Sequence, residues 1–291
     1  KSLQTLGKVD EAALLLDQLL KEDPDAKGLS ASASSLARTM DERGLALKGS
    51  NSVESETLLR RAASYYVIAI RGQVQGETAV RVDELEPVAN RLFALALQFN
   101  GVPDTVESFV EWKATKLDDT LLEVVARAYE ALLAVSPSYR NNISLARVLG
   151  FLQRWEDAAE GYARLFERED FINLGTRTIN TTTMTEKPEL TPALLEWGMC
   201  EREIGVSKAA PERLSRASSI FEALVVSTRE GSKNWWPAKF WQLQTMFDRG
   251  DYETGRISID SVERTNPDFD GGLLKERFQR LSKEFTKKAP R

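Results

Sequence analysis

Two glycines at opposite ends of the chain, Gly7 and Gly250, start the same ruler. From Gly7 a small residue follows at +5 (Ala12), bulky apolar residues at +9 and +12 (Leu16, Leu19), and proline at +17 (Pro24). From Gly250 the same offsets give Gly255, Ile259, Val262 and Pro267. A pattern repeated at fixed offsets marks one supersecondary unit used several times, each copy burying its neighbour's apolar face.

The unit is helical. Glu11–Lys21, Leu58–Arg71, Leu121–Ala134 and Asp157–Glu167 carry apolar residues at i, i+3, i+4 and i+7, the period of a helix with one buried face. Breakers separate these segments: Asp23-Pro24-Asp25, Asn100-Gly101-Val102-Pro103, Ser136-Pro137 and Asn266-Pro267. Alternating β-branched runs are short and isolated, so the expected class is all-α.

Glycine ending one helix, a small residue in the next, bulky residues after it and then a proline turn: this order resembles the tetratricopeptide repeat, a helix–turn–helix unit of about 34 residues. The small residue lets two antiparallel helices approach closely, and the bulky ones fill the groove to the next pair. The fullest copy is Tyr139–Phe171, with Leu145, Ala146 and Leu149 in its first helix, Trp155, Ala158, Tyr162 and Leu165 in its second, and Gln153 where glycine is usual. Trp236–Phe269 is the last copy. In other copies the second helix arrives late, after a polar stretch at Gly49–Glu56 or after Val206–Pro211.

The resemblance implies a right-handed superhelical solenoid of antiparallel helix pairs over residues 1–270, irregular around 45–58 and 102–120. Residues 271–291 follow as a capping helix and basic tail. The apolar stripe Leu273, Leu274, Phe278, Leu281 and Phe285 suits a helix that covers the array's open end. Thr105–Trp112 reads as a short helix, and residues 173–189, threonine-rich and without period, as a loop insertion. The start at Lys1 reads as a fragment or a trimmed product.

Composition narrows the function classes. The chain has no histidine, which removes the commonest general base and the commonest metal ligand, and with them His/Cys zinc sites and Ser-His-Asp chemistry. Cys200 is the single cysteine, so no internal disulfide is possible, and a cytoplasmic or an exported location fits equally. Net charge is −5, against a general nucleic-acid binder. Seven basic residues against Glu276 and Glu284 give residues 271–291 a charge of +5, which leaves −10 for the rest. No apolar run approaches the length of a membrane span. Phosphate-cradling loops and nucleophile elbows are absent, and carboxylate pairs such as Glu156-Asp157 read as helix-end residues. The expectation is a non-enzyme without cofactor or metal.

In stacked repeats the first helix of each pair lines the concave face. The family's ligand-contact positions, carried onto this chain, select Arg140, Arg147 and Phe151, then Met199 and Arg202, then Phe240, Gln244 and Phe247. Arginine forks hold carboxylates, and Phe and Met make adaptable apolar contacts, so the implied partner is a protein or peptide with acidic and apolar side chains. The lysine and asparagine pairs of the family's carboxylate-gripping groove are missing; Ser34, Arg38, Ile143 and Arg147 stand there instead. A second reading is a glycan- or polymer-binding module that uses exposed tryptophan. Trp235, beside Trp236, is the expected exposed ring.

Overall fold

A computed structural model describes residues 8–22, 28–75, 80–102, 119–168, 171–269 and 274–289. Apart from one two-stranded hairpin, the regular structure among these residues is helical. Consecutive helices pack in adjacent pairs, and the described chain divides into two compact units at Asn141/Asn142. Gly7, Pro24, Leu273 and the expected helix Thr105–Trp112 lie outside the described residues.

The first unit holds α1 (Val9–Glu22), α2 (Leu29–Leu47), α3 (Ser52–Val74), α4 (Val82–Phe99) and α5 (Asp119–Val135). Each packs on the next, and α3 also packs on α5. Most of the polar stretch expected to delay the second helix, from Ser52 on, is instead the start of α3. Asn51 caps that helix, its side chain accepting from the Glu54 backbone N–H at 3.2 Å and donating to the Glu54 carboxylate at 2.8 Å. The helix is therefore longer, with no inserted loop. Gly44 is where α2 and α3 touch: Ser55 Oγ donates to its carbonyl at 2.6 Å, and a Cβ there would meet the Leu59 side chain at 2.9 Å. On the ruler, Leu16 is buried as expected but Leu19 is 40% exposed.

The second unit begins inside α6 (Tyr139–Phe151) and continues through α7 (Trp155–Arg168), the antiparallel hairpin β1 (Ile172–Asn173) and β2 (Thr178–Ile179), α8 (Thr181–Glu186), α9 (Leu190–Ser207), α10 (Pro211–Ser227), α11 (Trp235–Arg249), α12 (Tyr252–Thr265) and α13 (Lys275–Lys288). Gln153 takes φ 58°, supplying the left-handed turn for which glycine is usual. The segment 173–189 is not a plain loop. It pairs Asn173 with Thr178, packs β2 on α10, and starts α8 under a cap in which Asn180 Oδ1 accepts from Thr183 N–H at 3.1 Å. The lateness of α10 is likewise a longer α9, which runs past Gly205 to Ser207 and lets Gly205 meet Leu214.

Helix α9 is the centre of this unit, packed on α7, α10 and α11 and buried along most of its length. At the far end α13 packs on α11 and α12. Phe278 lies parallel to Phe269 at 5.0 Å and edge-on to Trp236 and Phe240 at 5.7 and 5.4 Å, while Phe285 meets Phe247 at 5.4 Å. Phe278, Leu281 and Phe285 are buried, so the basic helix read from the sequence packs its apolar stripe against α11 and α12.

Candidate partner-binding face

The residues selected for a concave groove do not form an open one. Phe151, Met199 and Phe240 retain 4, 3 and 5% exposure and belong to the core. The helices of Met199 and Phe240 are each packed on several others, so these apolar positions meet neighbouring helices. Trp235 is also buried, at 5%, against the expectation that it is exposed. Two adjacent tryptophans share this core because their rings stand edge to face, 84° apart at 4.9 Å, an arrangement favoured by the ring quadrupoles.

Two of the three arginines expected to hold a partner's carboxylates, Arg147 and Arg202, already hold carboxylates of this chain. Arg147 forks onto Glu196, with Nε at 3.0 and 3.2 Å from the two oxygens and Nη2 at 2.8 Å. Tyr162 donates a further hydrogen bond to Glu196, and its hydroxyl is held well above its ordinary pKa by burial and by the Glu196 charge. Arg202 puts Nε 2.5 Å from Asp248 and Nη1 2.7 Å from Glu203, with its guanidinium 5.1 Å over the Trp241 ring. Burial lowers the Arg202 pKa, with Asp248 opposing that shift.

Two further acidic residues stand at the heart of α9. Glu201 is fully buried and takes Arg213 at 3.0 Å, Arg216 at 3.3 Å and the Trp197 indole N–H at 3.1 Å. Glu196 is 3% exposed. Their signal was present: two glutamates within the otherwise apolar run Leu194–Glu201 demand buried partners. The first unit uses the same device twice. Tyr66 and Arg91 converge on Asp41, and Tyr65 and Arg61 on Asp17. Each carboxylate lies on a different helix from its arginine.

What remains partly exposed is a smaller tier. Gln244, Phe247 and Asp248 lie at i, i+3 and i+4 on α11, and Arg202 joins Glu203 of α9 to Asp248. Gln244 Nε2 donates to Asp248 at 3.4 Å, and Phe247 rests against Tyr252 and Phe285. Arg140 is exposed, with its guanidinium 5.7 Å from the Tyr139 ring centre. Among the described residues there is no cluster of His, Cys, Asp and Glu able to hold a metal ion, and no helix long and apolar enough to cross a membrane. No protein-family model matches the chain, and no curated protein matches it.

Proposed function

We propose that this chain is a non-catalytic interaction scaffold: a solenoid of tetratricopeptide-like helix pairs that holds a protein or peptide partner. The observation that carries the reading is the use made of buried charge. Asp41, Glu196 and Glu201 each sit in an inter-helix or inter-turn pair with arginine, which fixes helix register and leaves these carboxylates engaged rather than poised for proton transfer. Sequential helix-on-helix packing in each unit supports the repeat character. The glycan reading loses its expected exposed ring, because Trp235 is in the core.

The partner's expected acidic character loses the support of Arg147 and Arg202, which are engaged internally, and keeps that of the exposed Arg140. A partner reaching α9 and α11 meets the partly exposed Gln244 and Phe247 beside the Arg202 ion pairs with Glu203 and Asp248. The test is capture from the native source with the full chain as bait, identification of the retained protein, and titration of the purified pair. Gln244→Lys and Phe247→Ser, each checked for a native melt, are expected to weaken binding about tenfold, the effect of losing one anchor. Undiminished binding by both rejects this face. The absence of any saturable protein partner rejects the scaffold.

A further inference from the structure

In the first unit, the last turn of α3 and the first turns of α5 enclose a cleft of about 220 Å³. Its floor is aliphatic: Ile70, Val74 and Val124, of which Ile70 and Val124 are buried. Two exposed arginines, Arg71 and Arg127, stand in its lining with Glu123. Among the described residues neither guanidinium has an ion pair or a side-chain hydrogen bond, although Glu123 and Arg127 share the i, i+4 spacing at which helical ion pairs form. The arginines that bridge two helices differ in this. Arg61, Arg91, Arg147, Arg202, Arg213 and Arg216 all rest on carboxylates.

We infer that this cleft binds a small aliphatic monocarboxylate. The volume equals about seven waters at roughly 30 Å³ each, which suits a short chain with one polar head. It lies below the range of roughly 300–1,000 Å³ typical of sites for larger organic ligands. The aliphatic floor takes the chain and removes its surface from water. Planar guanidinium forks match a carboxylate in shape as well as charge. Glu123 sets the valence: two arginines and one glutamate leave a lining of +1, which balances a monoanion and disfavours a dianionic phosphate. The inference is independent of the scaffold reading, because it concerns other residues and another class of ligand.

The test is a titration of the full chain with hexanoate, followed by NMR at Val74 and Val124. Saturable shifts confined to this cleft are expected, with a dissociation constant in the millimolar range. The double variant Arg71→Gln/Arg127→Gln should weaken binding at least about tenfold. Glu123→Gln should tighten it a few-fold, a gain that a folding defect cannot mimic. Hexanamide should bind at least about tenfold more weakly than hexanoate. Equal binding of the amide makes the cleft an apolar hollow and overturns the proposal. So does inorganic phosphate shifting these residues while hexanoate does not, and so does the absence of any localised shift. A blocked peptide with one glutamate that outbinds hexanoate here overturns the assignment to a free acid.

Discussion

Arg147 and Glu196 are 49 residues apart in sequence and joined by a forked pair, with the Glu196 side chain 4% exposed and Arg147 30%. Removing the arginine strands a buried carboxylate. Arg147→Ala is therefore expected to cost about 3–5 kcal/mol, while Arg147→Met with Glu196→Leu, which removes both charges, should cost far less. Chemical denaturation of both single variants and the double gives the coupling directly. Singles that add up to the double show that the pair is not coupled. Charge reversal at Arg147 is consequently a folding mutation, and loss of binding after Arg147→Glu says nothing about a groove.

Gly255 carries a second prediction, which tests the end of the stack. A Cβ at this position of α12 would run into the Phe285 ring of α13. Glycine to alanine inside a helix ordinarily gains about 1 kcal/mol from propensity. Here the overlap with a buried ring should outweigh it, since overpacking costs about 1–3 kcal/mol. Gly255→Ala is expected to lower Tm, and Gly255→Ala with Phe285→Leu to recover part of the loss. An unchanged or raised Tm in the single variant means that α13 does not press on α12 at this point.

That close approach was legible in the sequence, and its reason generalises. Gly255 is the small residue of the ruler, and Phe278, Leu281 and Phe285 are the stripe of the terminal helix; both signals are local, set by spacing within one or two helices. What was not legible depends on residues brought together by the fold. Arg147 and Arg202 looked like surface cations because their carboxylates lie 49 and 46 residues away. Trp235 was misplaced by treating adjacent tryptophans as competitors for one core, when an edge-to-face pair under α13 accommodates both. The apparent insertions near Gly49 and Val206 arose from assuming helices of standard length. α3 and α9 are longer, and a polar first turn or an internal glycine does not end them.

The tyrosine–carboxylate contacts fix the alkaline limb of stability. Tyr65 is pushed up to about 12, by burial first and then by its hydrogen bond to Asp17. Tyr66 and Tyr162 are raised as well, by burial first and next by the charges of Asp41 and Glu196. An unfolded tyrosine ionises near pH 10. Above that pH the unfolded chain binds fewer protons than the folded one. Stability contributed by these groups is therefore complete below about pH 10 and is lost as pH rises through the folded values. Lys239 acts with the opposite sign: burial lowers its pKa, so its contribution rises with pH up to about 10.5. Comparing wild type with Tyr65→Phe separates the two. Denaturant midpoints should fall more steeply for wild type between about pH 10 and 12. Identical slopes would remove Tyr65 from the account.

Glu201 poses the sharpest test of how buried charge is shared. Its carboxylate is inaccessible and receives Arg213 from 3.0 Å, Arg216 from 3.3 Å and the Trp197 indole from 3.1 Å, while the Arg216 side chain is 44% exposed. Losing Arg216 leaves Glu201 with Arg213 and Trp197, so Arg216→Ala should cost no more than about 1 kcal/mol, as for a partly solvated pair. Losing the carboxylate leaves Arg213 facing a cavity and frees the Trp197 N–H, so Glu201→Ala should cost about 3–5 kcal/mol. Glu201→Gln keeps the volume and one acceptor and should fall between the two. Equilibrium unfolding of the three variants ranks them. If Arg216→Ala proves as costly as Glu201→Ala, the outer arginine carries the charge balance of α9, and Arg213 is the spare.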